Sequence, residues 1–427
     1  MNISATADAT ALRAPSVGLG EDSRILKARL RRAERMGQFR AYLLVLPLLV
    51  FLLFTFIVPI GNLLLKSVKD TTLSEELPQT SAALQLWNPQ QQELPPEEVF
   101  ATFAAELAAK KGTEGPGKVA MRLNYDEAGM RSLILKTVRG LDGLPQVDWR
   151  EHLAAIDPRW SAARTWVTLK YAARTWTIEY YLKALDLTRD DHGAIVQQPE
   201  ELRLYRDVFV RTAWVGLSVS ALCLLLGYPV AYFLATLPPR MSNVLMILVL
   251  LPFWTSFLVR SVSWMVILQS NGVLNGLLSV LGISASGWNL IYNRWGVLIS
   301  MTHILMPYAI LSLYSVMKNI PPIYMRAARS LGAGPARAFF SAYFPHSLPG
   351  VAAGGMLTFI LAVGYYITPA MLGGPDDQLV SYYIANHVNT TLNWGLAAAL
   401  AAMLLVGVTA MYAVFVRLTG GSGVKLG

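Results

Sequence analysis

The sequence predicts an all-α polytopic membrane protein, with six transmembrane helices and a large, mainly helical extracytoplasmic insertion between helices 1 and 2. Three observations predict this fold class. Of the 427 residues, 54% are hydrophobic and only 15% are charged, whereas soluble domains average about 25% charged residues. Six apolar runs reach the roughly 20 residues that a helix needs to cross a bilayer. The acidic residues are concentrated in one polar segment, which lies between the first two runs.

The six apolar runs are the predicted transmembrane helices. The first run is too long for a removed signal peptide and lacks the small-residue cleavage site, so we expect a retained anchor. The single cysteine, Cys223, lies in the second run, and an intramolecular disulfide is therefore excluded. In chain order the runs cover residues 42–65, 213–237, 244–268, 295–316, 352–372 and 394–416.

Basic residues in short loops predict the orientation, because they favour the cytoplasmic side. Seven Lys or Arg residues lie between positions 24 and 40, and the stretch 324–350 is also basic. The loop 373–393 has no Lys or Arg and contains Asp376 and Asp377, so we expect it outside. The predicted domains are a cytoplasmic tail 1–40, a transmembrane helix 41–65, the insertion 66–206, a transmembrane core 207–417 and a cytoplasmic tail 418–427.

The amino-terminal tail and the net charge say little about partners. Residues 1–23 have the composition of a disordered segment. Residues 24–40 fit either a basic amphipathic helix on the inner leaflet or charge placed there only by the topology. The net charge of +9 is mostly topological, and without a basic patch no nucleic-acid partner is predicted.

The insertion, residues 66–206, differs from the rest of the chain in its charge. It holds 18 Lys or Arg residues and 20 of the 27 acidic residues, and long domains translocate largely regardless of charge. Helix start and stop signals predict a helix within 95–111, and aromatic spacing predicts another over 162–187. The near-copies "AARTWVTLKY" and "AARTWTIEYY" fit either an amphipathic core helix or a ligand-stacking array. His152 and His192 stand alone, so no metal site is predicted.

The stretch "YMRAARSLGAGPARAFFSAYFPHSLPG", residues 324–350, is basic although apolar runs flank it. Gly332 and Gly334 are expected to end a first helix, and Pro335 is suited to the first turn of a second. The pattern predicts a helix, a sharp turn and a second helix on the cytoplasmic surface. The plain alternative is a loop that is basic only because it faces the cytoplasm.

This stretch resembles the EAA loop of permease subunits in bacterial ABC importers. The family pattern is Glu-Ala-Ala, three residues and Gly, followed by a hydrophobic stretch that ends near two prolines. "RAARSLGA" resembles its start, although Arg326 stands at the glutamate position, so a contact through that carboxylate is absent or reversed. The implied ATPase-coupling residues, within a coupling loop 318–350, are Arg326, Ala327, Ala328, Gly332, Ala333, Pro345, Pro349 and Gly350.

Two further runs extend the resemblance to spermidine/putrescine-type importer permeases. They are "LPFWTSFLVRSVSW" and "YYITPAMLGGPDDQLVSYYI", and the resemblance covers roughly residues 208–417. It implies a non-catalytic inner-membrane subunit that forms, with a second permease, the path for a small organic solute of polyamine, opine or amino-acid-like type. The implied partners are the lipid bilayer, a soluble substrate-binding protein and a dimer of ATPase subunits. ATP and Mg²⁺ would bind to those subunits, because this chain has no GxxxxGK[ST] loop.

Candidate residues of the translocation path surround an arginine in the third run. Intramembrane arginine is costly unless it faces a cavity or a partner, so Arg260 is either a path residue or a side chain that extends to the outer headgroups. The same resemblance and the aromatic content add neighbours. The full candidate set is Trp254, Ser256, Arg260, Tyr365 and Tyr366.

Two other functions stay open on the residues alone. One is a membrane receptor that senses a ligand through residues 66–206, which would require a cytoplasmic output domain. The other is an ion-coupled secondary carrier, which usually needs intramembrane carboxylates. From position 208 onward Asp376 and Asp377 are the only acidic residues, and this disfavours the carrier.

Overall fold

The computed structural model describes residue 36 and residues 42–141, 148–282 and 288–418. The chain forms two compact units, Met1–Asn62 and Leu63–Gly427. The predicted cytoplasmic tails, 1–40 and 418–427, lie outside the described residues except for Met36 and Leu418. Within the described residues, six helical segments are long and apolar enough to cross a membrane.

The first helix, α1 (Tyr42–Leu65 within the described residues), ends at the residue where the first apolar run ends. Its side chains are exposed throughout 42–60 and are mostly apolar. A single π-helical turn at Leu53–Ile57 interrupts the regular hydrogen bonding.

The insertion is a helical domain with one small hairpin. Its helices are all too short to span a bilayer, and their apolar faces pack together to form its core. The helices are α2 (Thr72–Glu76), α3 (Pro78–Leu86), α4 (Glu97–Ala109), α5 (Gly115–Asp126), α6 (Met130–Gly140), α7 (Trp149–Ile156), α8 (Ala163–Ala172) and α9 (Glu179–Ala184). The antiparallel strands β1 (Leu187–Arg189) and β2 (Ile195–Gln197) follow α9.

Aromatic side chains fill the centre of the insertion. Trp160 and Trp166 are fully buried, and their rings lie 5.3 Å apart. Phe100 lies 4.3 Å from Trp166 and Phe103 lies 4.9 Å from Trp160, within the range of favourable aromatic pairs. These tryptophans are therefore core residues rather than a ligand-stacking array, whereas Trp176 is 64% exposed.

The single helix predicted over 162–187 is wrong. Helices α8 and α9 are separated by an extended segment, in which the backbone of Thr175 and Thr177 bonds to the chain that follows α1. Asp70 N–H donates to Thr175 C=O at 2.9 Å, and Thr177 N–H donates to Val68 C=O at 2.8 Å. These long-range bonds outweigh the helical pattern of the side chains.

The second half of the chain forms a helical bundle. Its helices are α10 (Tyr205–Thr236), α11 (Pro239–Leu250), α12 (Phe257–Leu268), α13 (Val273–Val280), α14 (Arg294–Met317), α15 (Ile323–Ser330), α16 (Pro335–Ala338), α17 (Phe344–Gly364), α18 (Ile367–Leu372), α19 (Val380–Asn389) and α20 (Trp394–Leu418). Short 3₁₀ turns lie at Leu251–Trp254 and Pro375–Asp377.

Two predicted spans, 244–268 and 352–372, have wrong boundaries. The first run is interrupted by the 3₁₀ turn Leu251–Trp254, and the helical segment long enough to cross is instead Phe257–Val280, which has a turn between α12 and α13. The second run breaks after Gly364, and the long helical segment starts earlier, at Pro335. Apolar composition alone does not reveal these breaks.

Helices α10, α14 and α17 form the centre of the bundle. Gly216 of α10 lies so close to α17 that an added Cβ would meet the Phe359 ring at 2.9 Å, and small residues allow such close approach between membrane helices. Polar side chains add hydrogen bonds, since the Ser220 hydroxyl donates to Gly355 C=O at 2.8 Å.

The insertion and the stretch 324–350 lie at opposite ends of this bundle. Tyr180 of the insertion clusters with the first turns of α10 and α20, at Tyr205 and Leu396. Tyr343 clusters with the last turns of α10 and α14, at Leu234 and Met317. The two stretches therefore face opposite sides of any membrane that the bundle crosses.

Candidate coupling segment and membrane path

The first half of the coupling segment is the exposed helix α15. It ends at Gly332, whose φ of +87° is readily adopted only by glycine. Ala333 N–H donates to Ala328 C=O at 3.1 Å, and Gly332 N–H donates to Arg329 C=O at 3.0 Å. This pair of bonds is a Schellman motif, so the predicted helix and glycine turn are present.

The second half departs from the prediction. Pro335 does start a helix, but α16 continues through a π turn, Phe339–Tyr343, into α17. Pro345 and Pro349 lie in the first turns of α17 rather than at the end of a loop. The segment expected to end at residue 350 therefore belongs, from Pro335 onward, to the fifth membrane-crossing helix.

The candidate coupling residues divide into an exposed and a packed group. Arg326 and Ala327 are exposed and Ala328 and Ala333 are half-buried, while Gly332 has no atom within 4 Å of an added Cβ. Gly350 is buried, and a Cβ there would meet Val316 of α14 at 3.0 Å. The first group is free for contact with a partner.

Aromatic contacts join this segment to the bundle. The rings of Tyr324 and His346 stack at 4.4 Å, which connects α15 to α17. Tyr232 of α10 lies 5.4 Å from Phe339 and 5.1 Å from Tyr343. A force on α15 would thus reach α10 and α17 through packed rings.

Arg260 lies in the first turn of α12, which Ser256 caps by accepting the Val259 N–H at 3.2 Å. Its side chain is only 7% exposed, and its guanidinium carbon lies 4.5 Å from the centre of the Phe257 ring. Arg260 Nε and Nη1 are buried and have no hydrogen-bond partner among the described residues. This burial disfavours a side chain that extends to the headgroups.

The other path candidates are only partly brought together. Tyr365 follows α17, and its ring lies 5.5 Å from Phe257. Tyr366 is 41% exposed and Trp254 is 80% exposed. Arg260 and Tyr365 therefore share Phe257, whereas Trp254 and Tyr366 lie on the surface.

Sequence reasoning missed several neighbours of this arginine. Phe257 lies one helical turn before Arg260, and that spacing could have indicated it. Ser261 of α12 is hydrogen-bonded to Thr368 of α18 at 2.8 Å, and Trp264 Nε1 donates to His303 Nδ1 at 3.1 Å. These two pairs join distant positions, so no local pattern reveals them.

The two acidic residues of the loop 373–393 have different environments. Asp376 is exposed, whereas Asp377 is buried and pairs with Arg294 at 3.1 Å. Asp377 also accepts the Gly374 N–H at 3.1 Å. Asp377 thus holds the loop to the start of α14. Among the described residues no group of His, Cys, Asp and Glu is arranged to hold a metal ion.

A second buried arginine lies in the insertion and, unlike Arg260, is paired with carboxylates. Arg122, 3% exposed, donates from Nε to Asp70 at 2.5 Å and from Nη1 to Asp126 at 2.6 Å. Burial alone would raise the pKa of Asp70, but the Arg122 charge and hydrogen bonds from Tyr180 and Thr72 outweigh burial and lower that pKa. Arg122 therefore ties the chain that follows α1 to α5.

The insertion is attached to the bundle through Asp186. This buried carboxylate accepts the backbone N–H groups of Leu204 and Tyr205 at 3.0 Å and of Arg206 at 2.8 Å. It thus accepts hydrogen bonds from the first N–H groups of α10, which have no acceptor within the helix itself. The insertion and the second crossing helix therefore share a fixed junction.

Comparison with known proteins identifies the class that this fold and segment define. The family described as "Binding-protein-dependent transport system inner membrane component" matches residues 226–419, which include the candidate path and the coupling segment. The class is therefore a multi-pass permease subunit of an inner-membrane transport system.

Individual proteins of known name are similar to this chain over about half of its length. It is 31% identical over 217 residues to the spermidine/putrescine transport system permease protein PotB of Haemophilus influenzae, covering 50% of this chain and 74% of that protein. It is 30% identical over 214 residues to PotB of Escherichia coli, covering 50% and 78%. A chain in the crystal structure of a bacterial alginate ABC transporter with an alginate pentasaccharide-bound periplasmic protein is 18% identical, covers 53% of this chain and 81% of that one, and gives a TM-score of 0.41.

The chain belongs to the family of binding-protein-dependent inner-membrane permeases. Its function is that of a permease in an ABC importer, and this decides against the receptor and the ion-coupled carrier. The family match begins at residue 226, so the insertion lies outside it.

Proposed function

We propose that the chain forms, with a second permease subunit, the path for a small organic solute of polyamine, opine or amino-acid-like type. A soluble binding protein delivers the solute, and a dimer of separate ATPase subunits, which bind ATP and Mg²⁺, drives transport. Family membership and the named activity of the PotB relatives support this proposal.

The coupling segment carries the proposal. An exposed helix with two arginines, Arg326 and Arg329, lies at one end of the bundle and is closed by the Gly332 turn. We infer that α15 docks in a groove of the ATPase through Arg326, Ala327, Ala328, Gly332 and Ala333. Gly350 packs the adjoining helix against α14, and the exposed Pro345 and Pro349 complete the surface that is offered to the ATPase. Because Arg326 replaces a glutamate, the groove is expected to present an acidic side chain.

Two neighbouring glycines allow a matched test of this docking. Gly332 has a φ of +87° and Gly334 a φ of −63°, and neither has an atom within 4 Å of an added Cβ. Gly332→Val should strain the turn by about 1–2 kcal/mol, whereas Gly334→Val adds the same side chain without that strain. We expect only Gly332→Val to reduce co-purification of the ATPase and ATP-driven uptake.

The comparison of the two variants separates strain from bulk. If both variants lose the ATPase equally, the added side chain and not the turn is responsible. If Gly332→Val co-purified with as much ATPase as the wild type and took up solute normally, the coupling role of the turn would be refuted.

The orientation is part of the proposal. The insertion, 66–206, lies outside the cytoplasm, whereas both termini and the segment 318–350 lie inside. The first transmembrane helix occupies 41–65, and the other five lie within 207–417. Support comes from the loop charges and from the position of the insertion and the coupling segment at opposite ends of the bundle.

Cysteine labelling in intact cells tests this orientation. Gln91→Cys and Asp376→Cys place thiols at exposed positions of the insertion and the 373–393 loop, and Ser330→Cys places one on α15. The native Cys223 is buried and serves as the background. An impermeant reagent should label the first two and spare Ser330→Cys until the cells are opened; the reverse pattern would overturn the orientation.

The path is proposed to pass Arg260 and Tyr365, with Ser256 positioning the arginine and with Trp254 and Tyr366 at the exposed margin. Arg260 Nε and Nη1 need hydrogen-bond acceptors, because none of the described residues supplies one. A solute with a carboxylate beside its amines, as in an opine or an amino acid, would supply them. Competition of uptake by putrescine and by amino acids distinguishes these solute classes.

A further inference from the structure

A cavity of about 350 Å³ lies between the insertion and the start of α20. Its lining includes three lysines, Lys66, Lys69 and Lys118, together with Arg122 and Trp394. It is separate from the coupling segment, which lies at the opposite end of the bundle, and from Arg260, which does not line it. None of the proposed transport steps uses this cavity.

The hydrogen-bonding groups of the cavity are unbalanced. Asp70, the one carboxylate in its lining, already accepts from Arg122 and from the Tyr180 hydroxyl at 2.5 Å and from the Thr72 N–H at 3.0 Å. Lys118 lies 3.6 Å from Glu76 and 3.7 Å from Glu114. In contrast, no carboxylate of the described residues lies within 4.0 Å of the Lys66 or Lys69 ammonium group. The cavity therefore offers cationic donors in excess of acceptors.

Arg122 adds a buried donor to the same lining. It is 3% exposed, and its Nη2 is buried without a hydrogen-bond partner among the described residues. A buried N–H group without a partner is costly, and a bound acceptor would remove that cost. The donor set thus favours a ligand that is anionic and has several oxygens.

The position of the cavity along the membrane normal points to the source of such a ligand. Lys66 directly follows the last residue of the apolar helix α1, and Trp394 is the first residue of the apolar helix α20. Lys66 Nζ lies 5.0 Å from the centre of the Trp394 ring. Lysine and tryptophan at the ends of crossing helices mark the headgroup level of a bilayer.

We propose that this cavity binds a phosphate group, supplied by the headgroup of an anionic phospholipid, through Lys66 and Lys69. The Trp394 ring lies beside the glycerol region, and Arg122 closes the inner end of the cavity. The lipid would join the insertion to the end of α20, and this role is independent of the solute that the permease carries.

The test uses the full-length chain in its purified complex. Phosphatidylglycerol is titrated in detergent micelles, and native mass spectrometry counts the bound lipids; phosphatidylcholine and inorganic phosphate are titrated in parallel. For Lys66→Gln/Lys69→Gln we expect phosphatidylglycerol affinity to fall roughly 25-fold, because each of the two lysines near a charged surface contributes on the order of a fivefold effect. Arg131→Gln/Arg150→Gln, exposed in the insertion and outside the cavity, removes the same charge and should leave affinity unchanged.

Each outcome decides a separate point. If Lys66→Arg/Lys69→Arg still bound phosphatidylglycerol, the positive charge would be what the site recognises, and the weaker binding of the Gln variant would follow from the loss of that charge. Competition by inorganic phosphate without lipid binding would assign the phosphate site to a free anion and overturn the lipid source. Equal losses in the two Gln variants, or no loss in either, would overturn the site.

Discussion

The insertion and the bundle each bury one arginine, and the two arginines have opposite surroundings. Arg122 in the insertion is 3% exposed and Arg260 in the bundle is 7% exposed. Arg122 pairs with Asp70 and Asp126 and lies 5.1 Å from the centre of the Tyr180 ring. Arg260 has a phenylalanine ring beside it, and within the described part of the chain two of its nitrogens have no hydrogen-bond partner.

The difference follows from where the sequence places its carboxylates. The insertion contains 20 of the 27 acidic residues, and positions 208–375 contain none. An arginine buried in the insertion can therefore be neutralised locally, whereas one buried in the bundle depends on an acceptor from outside the described residues. The comparison teaches that equal burial can mark a stabilising contact in one region and a functional position in the other.

Loss of Arg122 should have the largest effect. Arg122→Met leaves Asp70 and Asp126 without their cation, and removal of one partner of a buried pair costs about 3–5 kcal/mol. We expect the insertion to lose its protease resistance and the chain to fall in abundance. Arg131→Met, at an exposed position on the next helix, should change neither. A stable, protease-resistant Arg122→Met chain would remove the contrast between the two regions.

Loss of Arg260 should affect stability in the opposite direction. Because its charge is buried without a partner, Arg260→Met should raise the stability of the bundle by about 2 kcal/mol, measured as the midpoint of thermal unfolding in detergent. The exposed Arg240→Met of α11 is the control, with no expected change. A marked loss of stability in Arg260→Met would show that Arg260 has a structural partner after all.

Acidification should produce the smallest effect on the Arg122 cluster of the insertion. The pKa of Asp70 is lowered by folding from its ordinary value of 3.8, so its contribution is complete above that pH and is lost as the pH falls through the folded-state pKa. The loss should be on the order of 1 kcal/mol. Hydrogen exchange of α5, compared between pH 6 and pH 3, should show the loss in the wild type and a smaller one in Asp70→Asn.

An identical pH response in Asp70→Asn and in the wild type would assign the acid sensitivity to other carboxylates. Asp157→Asn provides the control, because the pKa of Asp157 is also lowered, chiefly by a hydrogen bond from Arg159, but this residue lies outside the Arg122 cluster.

The sequence predicted the parts of the fold that depend on local patterns. Hydropathy located the end of α1 at Leu65, and the Gly332 turn followed from the requirement for a positive φ. Of the tryptophans in the two near-copies, Trp166 lies in the aromatic core, as the core-helix interpretation expects, whereas Trp176 is exposed. These features depend on composition and on the backbone preferences of single residues.

The features that were missed depend on contacts between distant residues. The break between α8 and α9 comes from hydrogen bonds to the chain after α1. The turn at Leu251–Trp254 and the break after Gly364 lie inside apolar runs, so hydropathy does not mark them. Of the path candidates, Arg260 was identifiable as a lone intramembrane charge, but its contact with Phe257 and its lack of a partner required the structure.

Solute uptake by the reconstituted complex tests most directly the central claim that the bundle carries transport past Arg260. The permeases, the ATPase and the binding protein are incorporated in vesicles, and uptake is normalised to the permease incorporated. We predict that Arg260→Met reduces uptake at least roughly tenfold with ATPase association unchanged, and that Arg260→Lys restores only part because the planar fork of donors is lost. Wild-type uptake by Arg260→Met would contradict the account.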